Sequence, residues 1–342
     1  MTARISVLLP YRNASGTLAG AIASVLDDLR ADDEVVAIDD GSSDGSTGIV
    51  DAIAARDRRV TRVATEGTAE RGAGIARALA RGVEIARADA PYLGRMDADD
   101  LSLPGRFEAQ RALLEQHPDV AAVGTQVELF GEHEGIARYI AWQNALVTPE
   151  DHAREIFVEA PLCHPSVLLR RDALAKVGGF RDTPWPEDYD LWLRLDAAGF
   201  DLAKVPRVLF RWQMSRGSVT KTDPRAAEAR LVEARATYLA PWLRERAASF
   251  AIWGAGQTGR RLARALEAYG ITPAFFADID PKKVGGVARG RPIVEAEHAM
   301  TRCAAQAIFL VVAVGTPGAR AIVRGRLVAK GFVEGSSFVC GA

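Results

Sequence analysis

The sequence predicts a two-domain α/β protein. Three observations carry that expectation: strands and helices alternate regularly from Ile5 to Met96, the alternation restarts after Ser249, and 342 residues exceed what one hydrophobic core ordinarily supports. An apolar fraction of 48% with 25% charged residues describes an ordinary globular chain able to bury a core.

The first apolar run, Ile5 to Leu9, ends in Pro10, and the second, Glu34 to Ile38, ends in the acidic, glycine-rich stretch DDGSSDGST. Between them Leu18, Ile22, Val25, Leu26 and Leu29 recur at helical spacing over Thr17 to Leu29. A helix Gly48 to Arg56, a strand Val60 to Ala64, a helix Ile75 to Arg87 and a strand Tyr92 to Met96 continue the pattern, and the last strand stops at DADD. Such alternation calls for a parallel sheet with helices on both faces. Ligands of such sheets bind at the carboxyl ends of strands, where both acidic clusters fall.

After Asp100 the pattern loosens into a helix near Pro104 to His117, a strand Ala121 to Phe130, an irregular stretch through Pro165 and a helix starting near Asp188. Asp223 to Arg246 reads as one polar helix whose stripe of Leu231, Tyr238, Leu239, Trp242 and Leu243 suits a core, or else a partner or membrane surface. Strand Phe250 to Trp253, helix Gln257 to Tyr269, strands Ala274 to Ala277 and Ala307 to Val314, and helix Gly318 to Lys330 follow. The expected division is a domain over 1–222, a helical connector over 223–248 and a smaller domain over 249–342.

Composition excludes some classes. Lys and Arg total 43 against 44 Asp and Glu, so no net field draws the molecule to nucleic acid, and membrane contact would be local and peripheral. Cys163, Cys303 and Cys340 are odd in number and outside any CxxC spacing, which argues against a disulfide framework or zinc site and for a reducing cytoplasm. ISVLLP is too short for a secretory signal, and no apolar run of about 18 residues is present for a spanning helix.

Asp97 and Asp99 in DADD follow an apolar strand at a spacing that can hold a hard divalent cation, with phosphate oxygens completing its shell. A solvated loop or helix cap would use the same residues. Leu101 and Ser102 exclude a calcium EF-hand loop. In PWPEDYDLWLRL, Glu187 and Asp188 stand at a helix start, where acids are stabilised by the macrodipole or can serve as a general base.

Taken in order, ISVLLPYRN, AIDDGSSDGST, DADD with LSLPGRFEAQ, HPSVLLRRDALAKVGGF and PEDYDLWLRL resemble the bacterial family-two glycosyltransferases of GT-A fold, over roughly residues 4 to 220. The resemblance implies an inverting transfer of sugar from a nucleotide-diphosphate donor, with Mg or Mn, to a saccharide or lipid-linked acceptor in surface polysaccharide or glycolipid assembly. It implies that Pro10 and Tyr11 line the nucleotide pocket and that Asp40 reads the base. It makes Asp97 and Asp99 the DxD pair, with Asp99 the direct metal ligand. Asp188 becomes the catalytic base with Glu187 as its orienting neighbour, and His164, Arg211 and Trp212 fall on the acceptor side. Ala14 stands where the family often has an acid, and Ala80 where it often has Asn.

In the smaller domain GAGQTG follows a strand and opens a helix, with Asp278 at the end of the next strand. Gly254, Gly256, Gly259 and Asp278 are therefore candidate nucleotide contacts, since glycines admit a pyrophosphate and an acid can bind a ribose. The domain resembles the Rossmann-like units appended to bacterial sugar-modifying enzymes, which need not use NAD. An NAD-dependent oxidoreductase and a non-catalytic sugar-nucleotide-binding protein remain as rivals.

Overall fold

The computed structural model describes residues 3–131, 136–214, 224–316 and 318–342. They fall into two compact units, Met1–Ala153 with Ala160–Asp223, and Arg154–Glu159 with Pro224–Ala342. The boundary expected at 222/223 lies outside the described residues.

The first unit is built on an eight-stranded sheet. Its strands are β1 (Ile5–Tyr11), β2 (Glu34–Asp39), β3 (Val60–Ala64), β4 (Tyr92–Arg95), β5 (Leu101–Ser102), β6 (Val120–Gly131), β7 (Leu168–Arg170) and β8 (Asp201–Met214), in the order β3-β2-β1-β4-β7-β6-β8-β5. Helices α1 (Leu18–Leu26), α2 (Ser46–Ala54) and α3 (Ile75–Ile85) make the crossovers among the first four strands, which are parallel. Every residue of β1 and β2 is buried, which is why both read as continuous apolar runs rather than alternating ones.

The sheet is mixed, not wholly parallel as the alternation suggested. β7 runs antiparallel to β4 and β6, and β5 antiparallel to β8. The departure begins where the chain leaves the βαβ repeat, after β4, with β5 and then α4 (Arg106–Gln116). The stretch expected to be irregular contains α5 (Ala137–Ala145) and α6 (Pro149–Glu155), then a turn of 3₁₀ helix at His164–Ser166, followed by α7 (Arg171–Lys176) and α8 (Glu187–Ala197).

In the second unit α9 (Glu228–Arg246) precedes β9 (Phe250–Trp253), α10 (Gln257–Glu267), β10 (Phe276–Asp278), β11 (Val287–Ala288), β12 (Arg291–Glu295), α11 (Ala296–Gln306), β13 (Phe309–Val312), α12 (Ala319–Ala329) and β14 (Phe338–Cys340). The sheet order is β11-β12-β10-β9-β13-β14, parallel except for the β11/β12 hairpin. Without that hairpin strand, β12-β10-β9-β13-β14 is the 3-2-1-4-5 order of open doubly wound sheets.

The helix expected as a separate connector belongs to this unit. Ala236, Leu239, Ala240 and Leu243 on α9 are buried, and Trp242 stands edge-on to Phe157 and Phe309 at 5.8 and 5.4 Å. Residues 154–159 are also part of it, although they comprise the last two residues of α6 and the segment that follows it, well before α9 in sequence. Glu155 pairs with Arg324 at 2.7 Å and Arg320 at 3.4 Å, and Glu159 with Arg235 at 3.5 Å.

Candidate active site

The DADD turn leaves the carboxyl end of β4, as the sequence predicts for a ligand-binding edge. Arg95, the last residue of that strand, is 3% exposed and places Nη1 2.7 Å from Asp97 Oδ1, so Asp97 has a cation of the protein's own. Asp99 reaches the surface and makes no ion pair among the described residues. The protein atoms crowded around it, and then the Asp97 charge, raise its pKa from 3.8 to about 6. Asp100 is buried, and its Oδ1 accepts from the Gln213 amide at 2.7 Å, tying the turn to the end of β8. Its Oδ2 is buried without a hydrogen-bond partner among the described residues, and burial, then Asp97 and Asp99, push its pKa well up.

Glu187 and Asp188 open α8, with Pro186 before them. Asp188 Oδ1 accepts from the Tyr189 amide at 2.7 Å. Asp190 one turn in accepts from Trp185 Nε1 at 3.1 Å and Arg194 Nε at 2.7 Å, which fixes the Pro-Trp-Pro turn on the helix start. His164 is buried, with Nδ1 3.6 Å from Glu187 Oε1 and its ring 5.9 Å from those of Phe180 and Trp192. The turn His164–Ser166 lies between the two acidic segments: His164 faces Glu187, and Arg95 N, at the end of the strand that leads into DADD, donates to Val167 O at 3.0 Å. Cys163, just before that turn, is buried. Burial first, then Asp100 and Asp97, and more weakly Asp188, push that thiol well above its ordinary range.

The remaining sequence-predicted residues divide. Pro10 and Tyr11 end β1 but are both buried, and the Tyr11 ring belongs to the hydrophobic core, so it offers little surface to a nucleotide. Burial, then Asp39, raises the Tyr11 pKa above its ordinary 10. The Asp40 carboxylate accepts from Thr65 Oγ1 at 2.6 Å, Ala73 N at 2.8 Å and Gly74 N at 3.1 Å, and so holds the loop that leads into α3. Its neighbour Asp39 is buried, which opposes ionisation, yet bonds from Thr47 Oγ1 and Ser42 N outweigh that and lower its pKa. Arg211 on β8 is exposed and pairs with Glu128, and Trp212 packs partly against the core.

The sequence model of glycosyl transferase family 2 matches residues 6–178. The chain belongs to that family. An uncharacterized glycosyltransferase of Haemophilus influenzae is 31% identical over 148 residues, covering 43% of this chain and 53% of that protein. The amylovoran biosynthesis glycosyltransferase AmsE of Erwinia amylovora is 34% identical over 154 residues, covering 44% of this chain and 55% of its own length. The chain thus spans little more than half the length of these relatives.

Among solved structures, Staphylococcus aureus TarS residues 1–349 in complex with UDP-GlcNAc superposes with a TM-score of 0.54 at 14% identity, covering 79% of this chain and 73% of that one. The mannosyltransferase PcManGT of Pyrobaculum calidifontis, in complex with GDP-Man and Mn2+, gives 0.51 at 18%, covering 96% and 81%. At these identities the likeness shows the fold, which is GT-A.

Three residues around the DADD turn received no role from the sequence, although two of them lie in the LSLPGRFEAQ segment: Arg95, Arg106 and Gln110. Arg106 is fully buried, with its guanidinium carbon 4.7 and 4.9 Å from the ring centres of Phe107 and Phe210, and burial lowers its pKa to about 9. No local pattern marks a buried arginine. The one signal is that Arg106 and Gln110 lie four apart on a helix, hence on one face.

In the second unit the GAGQTG glycines behave unequally. A Cβ on Gly259 would lie 1.9 Å from Gly254 O and one on Gly254 2.3 Å from Ala313 O, so the first is required by the close approach of α10 to the turn before it and the second by the close approach of the chain after β13. Gly256 faces open space. Asp278 is committed within the loop: Oδ2 accepts from Ala255 N at 2.9 Å and Lys283 Nζ at 3.1 Å, and Oδ1 from Asp280 N at 2.9 Å.

Proposed function

We propose that this family 2 chain transfers a sugar, with inversion, from a nucleotide-diphosphate donor to an acceptor hydroxyl, using a divalent cation at Asp97 and Asp99. The observation that carries the proposal is that one turn, His164–Ser166, joins the two acidic segments within one unit: His164 faces Glu187 at 3.6 Å, and Val167 O accepts at 3.0 Å from the amide of Arg95, which ends the strand before DADD. In that arrangement Asp188 takes the acceptor proton while Glu187, beside His164, orients it.

The carboxylates fit a hard cation in two respects: Asp99 reaches the surface with no ion-pair partner among the described residues, and it stands two residues from Asp97 on the same turn at the end of β4. Among the described residues no group of three or more ligating side chains gathers, so diphosphate oxygens and water would complete the shell. When bound, Mg or Mn would screen the charge growing on the departing diphosphate. PcManGT, which was solved with Mn2+, supports this choice of metal. Asp40 would act on the base through the loop 65–74 that its carboxylate holds.

For the acceptor we infer a saccharide or lipid-linked saccharide of surface polysaccharide assembly, a reading supported by the likeness to AmsE, a glycosyltransferase of amylovoran biosynthesis. No helix of the described residues is long and apolar enough to cross a membrane, so a lipid-linked acceptor would be met at a membrane surface. The NAD rival has less support, because the acid it needs at Asp278 is already spent on the glycine loop.

The test is transfer from a panel of UDP-, GDP- and dTDP-sugars with Mn2+, repeated in excess EDTA. Activity lost in EDTA and restored by Mn2+ is expected. Full activity in EDTA would remove the metal from the mechanism.

A further inference from the structure

Arg106 and Gln110 form a hydrogen-bonded pair on α4 with no ion pair among the described residues. Arg106 Nε donates to Gln110 Oε1 at 3.2 Å, and both residues are 0% exposed. Each then donates outward to main chain. Arg106 Nη2 bonds Arg95 O at 2.7 Å, two residues before Asp97, and Pro165 O at 3.0 Å, one residue after His164. Gln110 Nε2 bonds Ser166 O at 2.8 Å and Val123 O on β6 at 2.6 Å. Arg95 N also donates to Val167 O at 3.0 Å.

One helix face therefore links the strand that ends in DADD to the turn that carries His164, and His164 faces Glu187. We propose that Arg106 and Gln110 are positioning residues, a buried brace that sets the separation between the cation-binding turn at Asp97 and Asp99 and the base at Asp188. The inference rests on the transfer proposed above and adds what holds its two halves in register.

The physical case is one of geometry. Four main-chain acceptors from three segments are satisfied by two side chains, and a buried carbonyl left without its donor costs about 1–3 kcal/mol unless the segment shifts to find another. A shift of about 1 Å between donor and base can cost on the order of 10²-fold in rate. Asp97 and Asp99 lie on the same turn and Arg95 keeps its bond to Asp97, so donor binding is spared while transfer is not.

The experiment uses the full chain as Gln110→Met, which keeps the volume but removes both donors, and as Arg106→Lys, which removes the planar fork. Donor affinity with Mn2+ by calorimetry also gives the fraction of protein able to bind. Transfer and hydrolysis of donor by water are followed together. Donor affinity within about threefold of wild type is expected, with kcat for transfer lower by about 10- to 100-fold per binding-competent molecule. The share of donor lost to water should rise as well.

An unchanged kcat per competent molecule in both variants overturns the brace. So does loss of donor binding by both, since the pair then serves the whole fold rather than the register. A wild-type chain that transfers no sugar refutes the proposed function instead.

Discussion

Replacing Asp188 by Asn separates the chemical role from the structural one. Asp188 is the second residue of α8, and its Oδ1 accepts from Tyr189 N at 2.7 Å, a bond that an asparagine carbonyl oxygen can also accept. What Asn removes is the charge at a helix N-terminus, worth about 0.3–1 kcal/mol. In a domain of roughly 200 residues that is a fall of about 2–4 °C in Tm or less. A positioned base is worth about 10²–10⁴ in rate, which at 1.36 kcal/mol per tenfold is about 2.7–5.5 kcal/mol of barrier. The chemical effect therefore exceeds the structural one several-fold. Asp188→Asn should melt near wild type and bind donor with unchanged affinity by calorimetry, while kcat on the acceptor falls by at least about 100-fold. Near-normal turnover would refute the assignment and move the base to Glu187 or Asp190.

Two further predictions concern regions away from the chemistry. Lys204 is 1% exposed, donates to the carbonyls of Gln143 and Pro161, and has its pKa lowered by burial from 10.5 to about 7. The unfolded chain keeps that proton up to 10.5 and the native chain releases it near 7, so Lys204 contributes a stability that rises with pH across this window. The difference between wild type and Lys204→Met in urea unfolding should therefore grow in favour of wild type by up to about 1.4 kcal/mol per pH unit from 7 to 9. A flat difference would mean the two carbonyls keep the ammonium charged. For residues 154–159, a chain ended before Pro224 lacks Arg320, Arg324 and Trp242, the partners of Glu155 and Phe157. Hydrogen exchange should show that segment unprotected in the shortened chain, and Arg324→Ala in the full chain should cost about 1–3 kcal/mol. Full protection in the shortened chain would assign the segment to the first unit.

Where a segment is buried on both faces its periodicity is simple, and β1, β2, β4 and β9 could be read from their apolar runs almost to the residue. β8 could not. It carries Lys204, Pro206 and Arg207, which argue against a strand, yet Lys204 is buried on carbonyls and the pairing with β6 jumps from Val205 to Val208, leaving Pro206 and Arg207 in a bulge where proline is tolerated. The motif order located the DADD turn and the Glu187–Asp188 helix start, but not what holds them. Arg106 and Gln110 bond main-chain atoms of segments distant from their own helix, and a pattern of residue types carries no record of such partners. The same reason hid residues 154–159, whose membership of the second unit depends on arginines some 165 residues later. Tyr11 shows the converse limit, since a motif pattern places it beside the nucleotide but carries no record that its ring packs in the core.

The most direct test of the central claim is calorimetry of nucleotide-diphosphate sugars binding to the full chain and to Asp99→Ala, each with Mn2+ and with EDTA. If Asp97 and Asp99 hold the donor through a cation, one member of the panel binds wild type with Mn2+ and loses at least about tenfold in affinity in EDTA. Asp99→Ala should show the weakened affinity under both conditions, because the ion has lost its ligand. Equal donor affinity in all four titrations would contradict the account.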